Sequence, residues 1–100
     1  MQIHGISFAD EAVTSLLRRH KVRELSLFGS RARGDDRADS DIDLLVDFTP
    51  GSRADLVDLI ELKLGLQELF GIKVDLVSRE GLKQRSRENI IRDARQVYPN

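Results

Sequence analysis

Residues 27–48 read LFGSRARGDDRADSDIDLLVDF, and this stretch decides how the rest of the chain is read. Leu25, Leu27 and Phe28 form a short strand-like run that ends at Gly29, and Ile42-Asp43-Leu44-Leu45-Val46-Asp47-Phe48 forms a second that ends at Pro50-Gly51. From Asp35 to Asp47 there are six aspartates and one arginine, a local charge of −5. Loop solvation accounts for Asp35, Asp36 and Asp39. It does not account for Asp41 and Asp43, which open an otherwise apolar strand where i, i+2 spacing puts both on one face. Carboxylates held side by side repel, and the repulsion raises a pKa unless a cation sits between them. Oxygen donors alone, with no His or Cys nearby, select Mg²⁺ or a similarly hard ion.

Two further features extend this pair. Ile72-Lys73-Val74-Asp75-Leu76-Val77 alternates as a third strand, with Asp75 facing opposite to Val74 and Leu76. A lone aspartate in mid-strand is ordinarily a hydrogen-bonded structural residue. If this strand pairs in register with the second, however, Asp75 joins the face of Asp41 and Asp43, and three carboxylates can hold two metals for in-line phosphoryl chemistry. Gly29-Ser30 follows the first strand directly. Glycine lets backbone approach a ligand closely, a turn opening into a helix offers N–H groups to phosphate, and Arg31 and Arg33 can add positive charge. Alone, Gly-Ser after a strand is ordinary turn chemistry; its weight comes from the Asp41-x-Asp43 pair that follows.

Outward from this segment the periods alternate. Ala9 to His20 is a helix, with Val13, Leu16 and Leu17 at helical spacing, Asp10 and Glu11 early and Arg18, Arg19 and His20 late. Ser52 is expected to cap a helix that runs to about Phe70, carrying Leu56, Leu59, Ile60, Leu62, Leu66, Leu69 and Phe70 and stopping at Gly71. Gly65 inside it costs about 1 kcal/mol against alanine, which points to close packing there. From about Leu82 to Val97 a last helix carries Ile90, Ile91, Ala94 and Val97 on one stripe, with Pro99 as its stop. The order predicts an α/β (α+β) fold, a small mixed β-sheet with helices packed on it.

A chain of 100 residues without linker or repeat is expected to be one domain, 1–100. Forty per cent hydrophobic against 33% charged residues is a soluble globular balance. With 16 Lys+Arg against 17 Asp+Glu there is no basic excess, so strong free-standing nucleic-acid binding is not expected. Zero cysteines exclude disulfides and thiolate metal sites, and His4 and His20 are too far apart for local ligand spacing. No apolar run approaches the roughly 18 residues of a membrane span, and the opening MQIHGISFADE lacks a secretory pattern. A cytoplasmic protein without a membrane partner is the expectation.

Two motif readings fail on the letters. Gly29-x₄-Gly34 begins like a Walker A loop, but Asp35-Asp36 stands where Lys and Ser/Thr are needed. Asp39-x-Asp41-x-Asp43 begins like a calcium loop, but Leu44 replaces its glycine and Pro50 its final glutamate. What remains, Gly29-Ser30 followed ten residues later by Asp41-Ile42-Asp43, resembles the signature of the DNA polymerase β-like nucleotidyltransferase superfamily. The string over residues 27–48 and the length of the chain are similar to its smallest branch, the minimal nucleotidyltransferases. The resemblance implies the polymerase β-like core. It implies that Asp41 and Asp43 bind two Mg²⁺ ions, that Asp75 is third carboxylate and base, and that Gly29 and Ser30 hold the triphosphate of ATP. Arg33 is expected to contact phosphate. The branch also implies a partner, a HEPN-type ribonuclease toxin, with AMP transferred from ATP to its tyrosine so that the chain acts as antitoxin. The small size agrees with an acceptor supplied in trans.

Two other functions compete. A non-catalytic antitoxin that works by complex formation finds support in residues 79–95, where six basic residues oppose three acids beside the apolar stripe; a core-facing helix with a solvated basic face is the plainer account. A nucleotidyltransferase acting on RNA or a small molecule is the other, although four Phe and one Tyr provide few stacking platforms for RNA. His20, Asp47 and Tyr98 receive structural readings only.

Overall fold

The computed structural model describes residues 2–3, 6–34, 41–81 and 84–99. In chain order the elements are β1 (Gln2–Ile3), β2 (Ile6–Ser7), α1 (Glu11–Arg19), β3 (Val22–Phe28), α2 (Gly29–Arg33) and β4 (Ile42–Phe48), followed by α3 (Leu56–Phe70), β5 (Val74–Ser78), a 3₁₀ turn (Arg79–Gly81), α4 (Gln84–Asp93) and β6 (Arg95–Tyr98). The short pair β1 and β2 is antiparallel and stands apart from a four-stranded sheet of order β5-β4-β3-β6. In that sheet β4 runs parallel to β5 and antiparallel to β3, and β6 runs antiparallel to β3. The expected mixed sheet with helices packed on it is therefore the fold.

Strand alternation sets the two faces. Leu25 and Leu27 of β3, Ile42, Leu44 and Val46 of β4 and Val74 and Leu76 of β5 share one face through the register of the sheet, and all are buried. Against them lie Val13, Leu16 and Leu17 of α1 and Leu62, Leu66 and Phe70 of α3, with Phe8 edge-on to Phe70 at 5.3 Å between ring centroids. Asp10 caps α1 by accepting from the Ala12 N–H at 2.8 Å, so this helix starts at Glu11, two residues after the expected Ala9, and packs through the apolar positions its sequence marks. On the opposite face, which includes buried Ser26 and Leu45, α4 packs against β3 and α2. Among the described residues no helix is long and apolar enough to cross a membrane.

Two boundaries differ from the sequence reading. The cap of α3 is Asp55, not Ser52: the Asp55 carboxylate accepts from the Asp58 N–H at 3.1 Å and the Asp55 N–H donates to the Asp58 carboxylate at 3.0 Å. Arg53 has a φ of 59°, a left-handed turn that keeps the chain out of helix until this reciprocal box closes, while the Ser52 N–H is spent on the Thr49 carbonyl. At the other end, the helix expected to run through Val97 stops at Asp93, and Arg95–Tyr98 forms strand β6. Val97 is buried in the core from a strand, not from the helical stripe. β-Branched Val97 and aromatic Tyr98 suit a pleated position, and the pairing covers the second edge of β3.

The apolar residues of α3 divide between two faces. Leu62, Leu66 and Phe70 are in the core, whereas Leu56, Val57, Ile60 and Leu64 are exposed along the outer side. Gly71 ends the helix in the left-handed conformation, as expected. A Cβ built on Gly65 would lie 2.9 Å from Leu16 Cδ2, so the missing side chain is what lets α1 and α3 approach. Gly65→Leu is expected to wedge them apart at a cost of about 1–3 kcal/mol, read as a lower urea midpoint with unchanged slope.

Candidate active site

The site begins with strand register. Phe28, the last residue of β3, lies opposite Asp43 of β4, and Asp43 lies beside Asp75 of β5. Because β3 and β4 are antiparallel, the end of one strand meets the start of the other, which brings Gly29-Ser30 next to Asp41-x-Asp43 despite the intervening residues. Because β4 and β5 are parallel and in register, Asp75 joins the face of Asp43, as the alternation of β5 requires. Residues 35–40, including Asp35, Asp36 and Asp39, lie outside the described residues.

Gly29 is required by contact as well as by conformation. Its φ is 74°, and a Cβ placed on it would sit 2.1 Å from Asp43 Oδ2 and 3.0 Å from Asp43 Cγ. The glycine backbone therefore lies directly against a carboxylate. Ser30 follows in the first turn of α2, and the five-residue helix closes at Gly34, whose N–H donates to the Ser30 carbonyl at 2.9 Å.

Electrostatics set Asp43 apart. Its carboxyl is pushed above the ordinary aspartate value, first by burial and then by the charges of Asp75 and Asp41, while Arg33 and Arg31 partly oppose the shift. Asp43 is half-buried between β3 and β5, whereas Asp75 is exposed. Lys73 Nζ stands 3.9 Å from Asp41 Oδ2 in an open setting, worth little in solution. A site that raises a carboxyl pKa through its own neighbouring carboxylates has the charge and oxygen donors that suit a hard cation.

The two arginines of this segment, equivalent in sequence, have different surroundings. Arg33 is exposed and its Nη1 donates to Asp93 Oδ2 at 3.1 Å, which ties α2 to α4. Arg31 is only 7% exposed, and its Nε donates to the main-chain carbonyl of Asp41 at 3.2 Å. Neither Asp93 nor the inward turn of Arg31 has a local signal in the sequence. Asp47 is bound by Arg23 toward the other end of β4, in agreement with its structural reading.

Two other features lie away from this face. Among the described residues, His20, Asp58 and Glu61 form the group of three whose ligand atoms all fall within 4.8 Å of one another. Asp58 belongs to the α3 capping box; the Asp55 N–H is the main cause of its lowered pKa, with His20 and Lys21 contributing. This is charge pairing where the end of α1 meets the start of α3. A cleft of about 610 Å³, lined by residues 47–56, Leu59, Ser78, Glu80 and Gly81, opens at the far end of β4 and β5 and touches none of the motif residues. We take the motif end as the candidate site because the carboxylates, the glycine contact and the perturbed pKa coincide there.

Residues 9–98 match the model of the nucleotidyltransferase domain family. The chain belongs to this family. It is similar to the protein adenylyltransferase MntA of Thermococcus cleftensis, 38% identical over 91 residues that cover 83% of this chain and 90% of the relative. It is similar to a solved minimal nucleotidyltransferase at 49% identity and a TM-score of 0.71, covering 85% of each chain. A chain in a toxin–antitoxin crystal structure with AMP-PNP is 25% identical with a TM-score of 0.73, over 89% of this chain and 72% of that one. This minimal nucleotidyltransferase is thus an enzyme of the class that its Gly-Ser and Asp-x-Asp residues suggest.

Proposed function

We propose that this nucleotidyltransferase transfers AMP from ATP to a tyrosine hydroxyl of a HEPN-type ribonuclease toxin and thereby acts as its antitoxin in the cytoplasm. The observation that carries the site assignment is the meeting of three strand positions: Gly29 after β3, Asp43 on β4 and Asp75 on β5, adjacent through the sheet register. The name of the Thermococcus relative supports a protein acceptor.

Asp41, Asp43 and Asp75 would hold Mg²⁺, two ions in this reading, since the donor set is wholly oxygen and the Asp43 carboxyl bears a charge cost that a cation relieves. When bound, the ions supply electrostatic stabilisation of the transferring phosphoryl group and the leaving pyrophosphate. Gly29 and Ser30 bind the triphosphate through the approach that the missing Cβ allows. Arg33 contacts phosphate from its place on α2, where Asp93 orients it. Asp75, the most open of the carboxylates, accepts the proton of the attacking hydroxyl. The acceptor oxygen bonds to the α-phosphorus as the bond to the bridging oxygen breaks, and pyrophosphate leaves in line.

The test is incubation with α-labelled ATP, Mg²⁺ and a HEPN-type toxin. Label is expected on the toxin, at tyrosine. A stable complex without label would make the chain a binding module, and preferential labelling of RNA or an aminoglycoside would replace the acceptor.

A further inference from the structure

Within α2 a buried arginine stands two residues from an exposed one. A guanidinium is costly to take out of water unless its donors are used, so an arginine at 7% exposure beside a surface helix needs a structural or functional reason. The bond from Arg31 Nε to the Asp41 carbonyl gives one. On the same peptide unit, the Ile42 N–H donates to the Lys73 carbonyl at 2.9 Å. The Asp41–Ile42 peptide plane is therefore held from both sides, by α2 through Arg31 and by the residue that leads into β5. This plane lies between Asp41 and Asp43, and rotating it would swing the two carboxylates relative to each other and to Gly29-Ser30.

We propose that Arg31 is a positioning residue of the nucleotidyl-transfer site, holding the Asp41–Ile42 peptide so that Asp41 and Asp43 present their carboxylates to one metal position beside Gly29-Ser30. Arg31 acts through the main chain and touches no substrate. Its planar, always-charged head gives the carbonyl a donor in a fixed direction, which the flexible ammonium of lysine supplies less well. The charge of Arg31 also opposes the rise in the Asp43 pKa, consistent with its place behind the carboxylates. Arg33 differs in kind: it is exposed and paired with Asp93.

This inference rests on Asp41 and Asp43 being the metal-binding pair, and the test separates the two ideas. Mn²⁺ binding without nucleotide is followed by water-proton relaxation for the wild type, Asp43→Ala, Arg31→Lys and Arg31→Gln, alongside AMP-transfer kinetics and thermal unfolding. Loss of a residue that orients metal ligands is expected to weaken Mn²⁺ binding by about 10–100-fold in Arg31→Gln. Its kcat should fall with it, while the KM for ATP stays within about twofold, since a positioning residue contributes little to ground-state nucleotide binding. Arg31→Lys should unfold close to the wild type and recover only part of the Mn²⁺ affinity and kcat, because lysine reaches the carbonyl with a donor but does not fix its direction. Should Arg31→Gln fail to fold, Arg31→Lys decides alone, with a kcat loss of about tenfold at unchanged KM as the expected result. A raised KM at unchanged kcat and Mn²⁺ affinity would overturn the proposal in favour of direct phosphate contact, and unchanged values in both folded variants would overturn it outright. Undiminished Mn²⁺ binding and transfer in Asp43→Ala would instead refute the metal-site assignment itself.

Discussion

Asp43→Asn is expected to abolish nucleotide transfer and, at neutral pH, to make the protein more stable than the wild type. The two effects have one cause. Asp43 is half-buried beside Asp75 and Asp41, and burial and those charges together raise its carboxyl pKa. A group whose pKa is raised by folding favours the folded state when protonated, and that advantage is lost as pH rises through the raised value. The ionised carboxylate is therefore a liability to the fold at neutral pH, and an isosteric amide removes it. Transfer should fall by at least about a thousandfold, the scale seen when a main electrostatic stabiliser of a transition state is lost. Thermal unfolding followed from acid to neutral pH checks the other half: the variant and wild type should coincide in acid and separate by a few degrees above the Asp43 pKa. A variant less stable than the wild type at neutral pH would mean that Asp43 is held by favourable contacts.

Gly29→Ala is the second substitution with a large expected effect, and its partner can be named. The new Cβ meets Asp43 Oδ2 at 2.1 Å and also requires an alanine at a φ of 74°. Left-handed backbone costs a non-glycine residue about 1–2 kcal/mol, and overpacking adds about 1–3 kcal/mol. Activity should be lost with the stability, because relief of the collision displaces the Asp43 carboxylate. In an Asp43→Ala background the offending oxygens are gone, so urea unfolding of the double variant should show Gly29→Ala costing only its backbone share of about 1–2 kcal/mol. Equal costs in the two backgrounds would show that conformation, not contact with Asp43, is the reason for glycine.

Both expectations concern residues that the sequence singles out, and the reason is local. Gly29-Ser30 follows a short apolar run, and Asp41-x-Asp43 interrupts one where hydrophobic side chains are otherwise continuous. Strand alternation alone puts Asp75 opposite Val74 and Leu76. The same local logic marks α1 from its apolar spacing and Gly65 as a packing position, which contact with Leu16 accounts for.

Local logic fails where a choice depends on what lies across the sheet. Arg95–Tyr98 continues an apolar stripe well enough to read as helix, but the open edge of β3 recruits it as a strand. Ser52 and Asp55 both have an acidic residue three positions on, and only the left-handed turn at Arg53 excludes the first as cap. Leu56, Ile60 and Leu69 read as part of one apolar set with Leu62 and Leu66, yet the sheet and α1 cover only one side of α3 and leave these three exposed.

By itself the sequence singled out the residues proposed to carry the chemistry, because a glycine, a pair of carboxylates on one strand face and a third on another are properties of residue type and short-range period. Only the tertiary structure decided that these positions meet. The antiparallel pairing of β3 with β4 brings Gly29 against Asp43, and the parallel register of β4 with β5 sets Asp75 beside it. It also separated two arginines whose burial the sequence does not distinguish, turning Arg31 inward to the Asp41 carbonyl and Arg33 outward to Asp93. Burial and pairing are set by neighbours distant along the chain, and no local period encodes them.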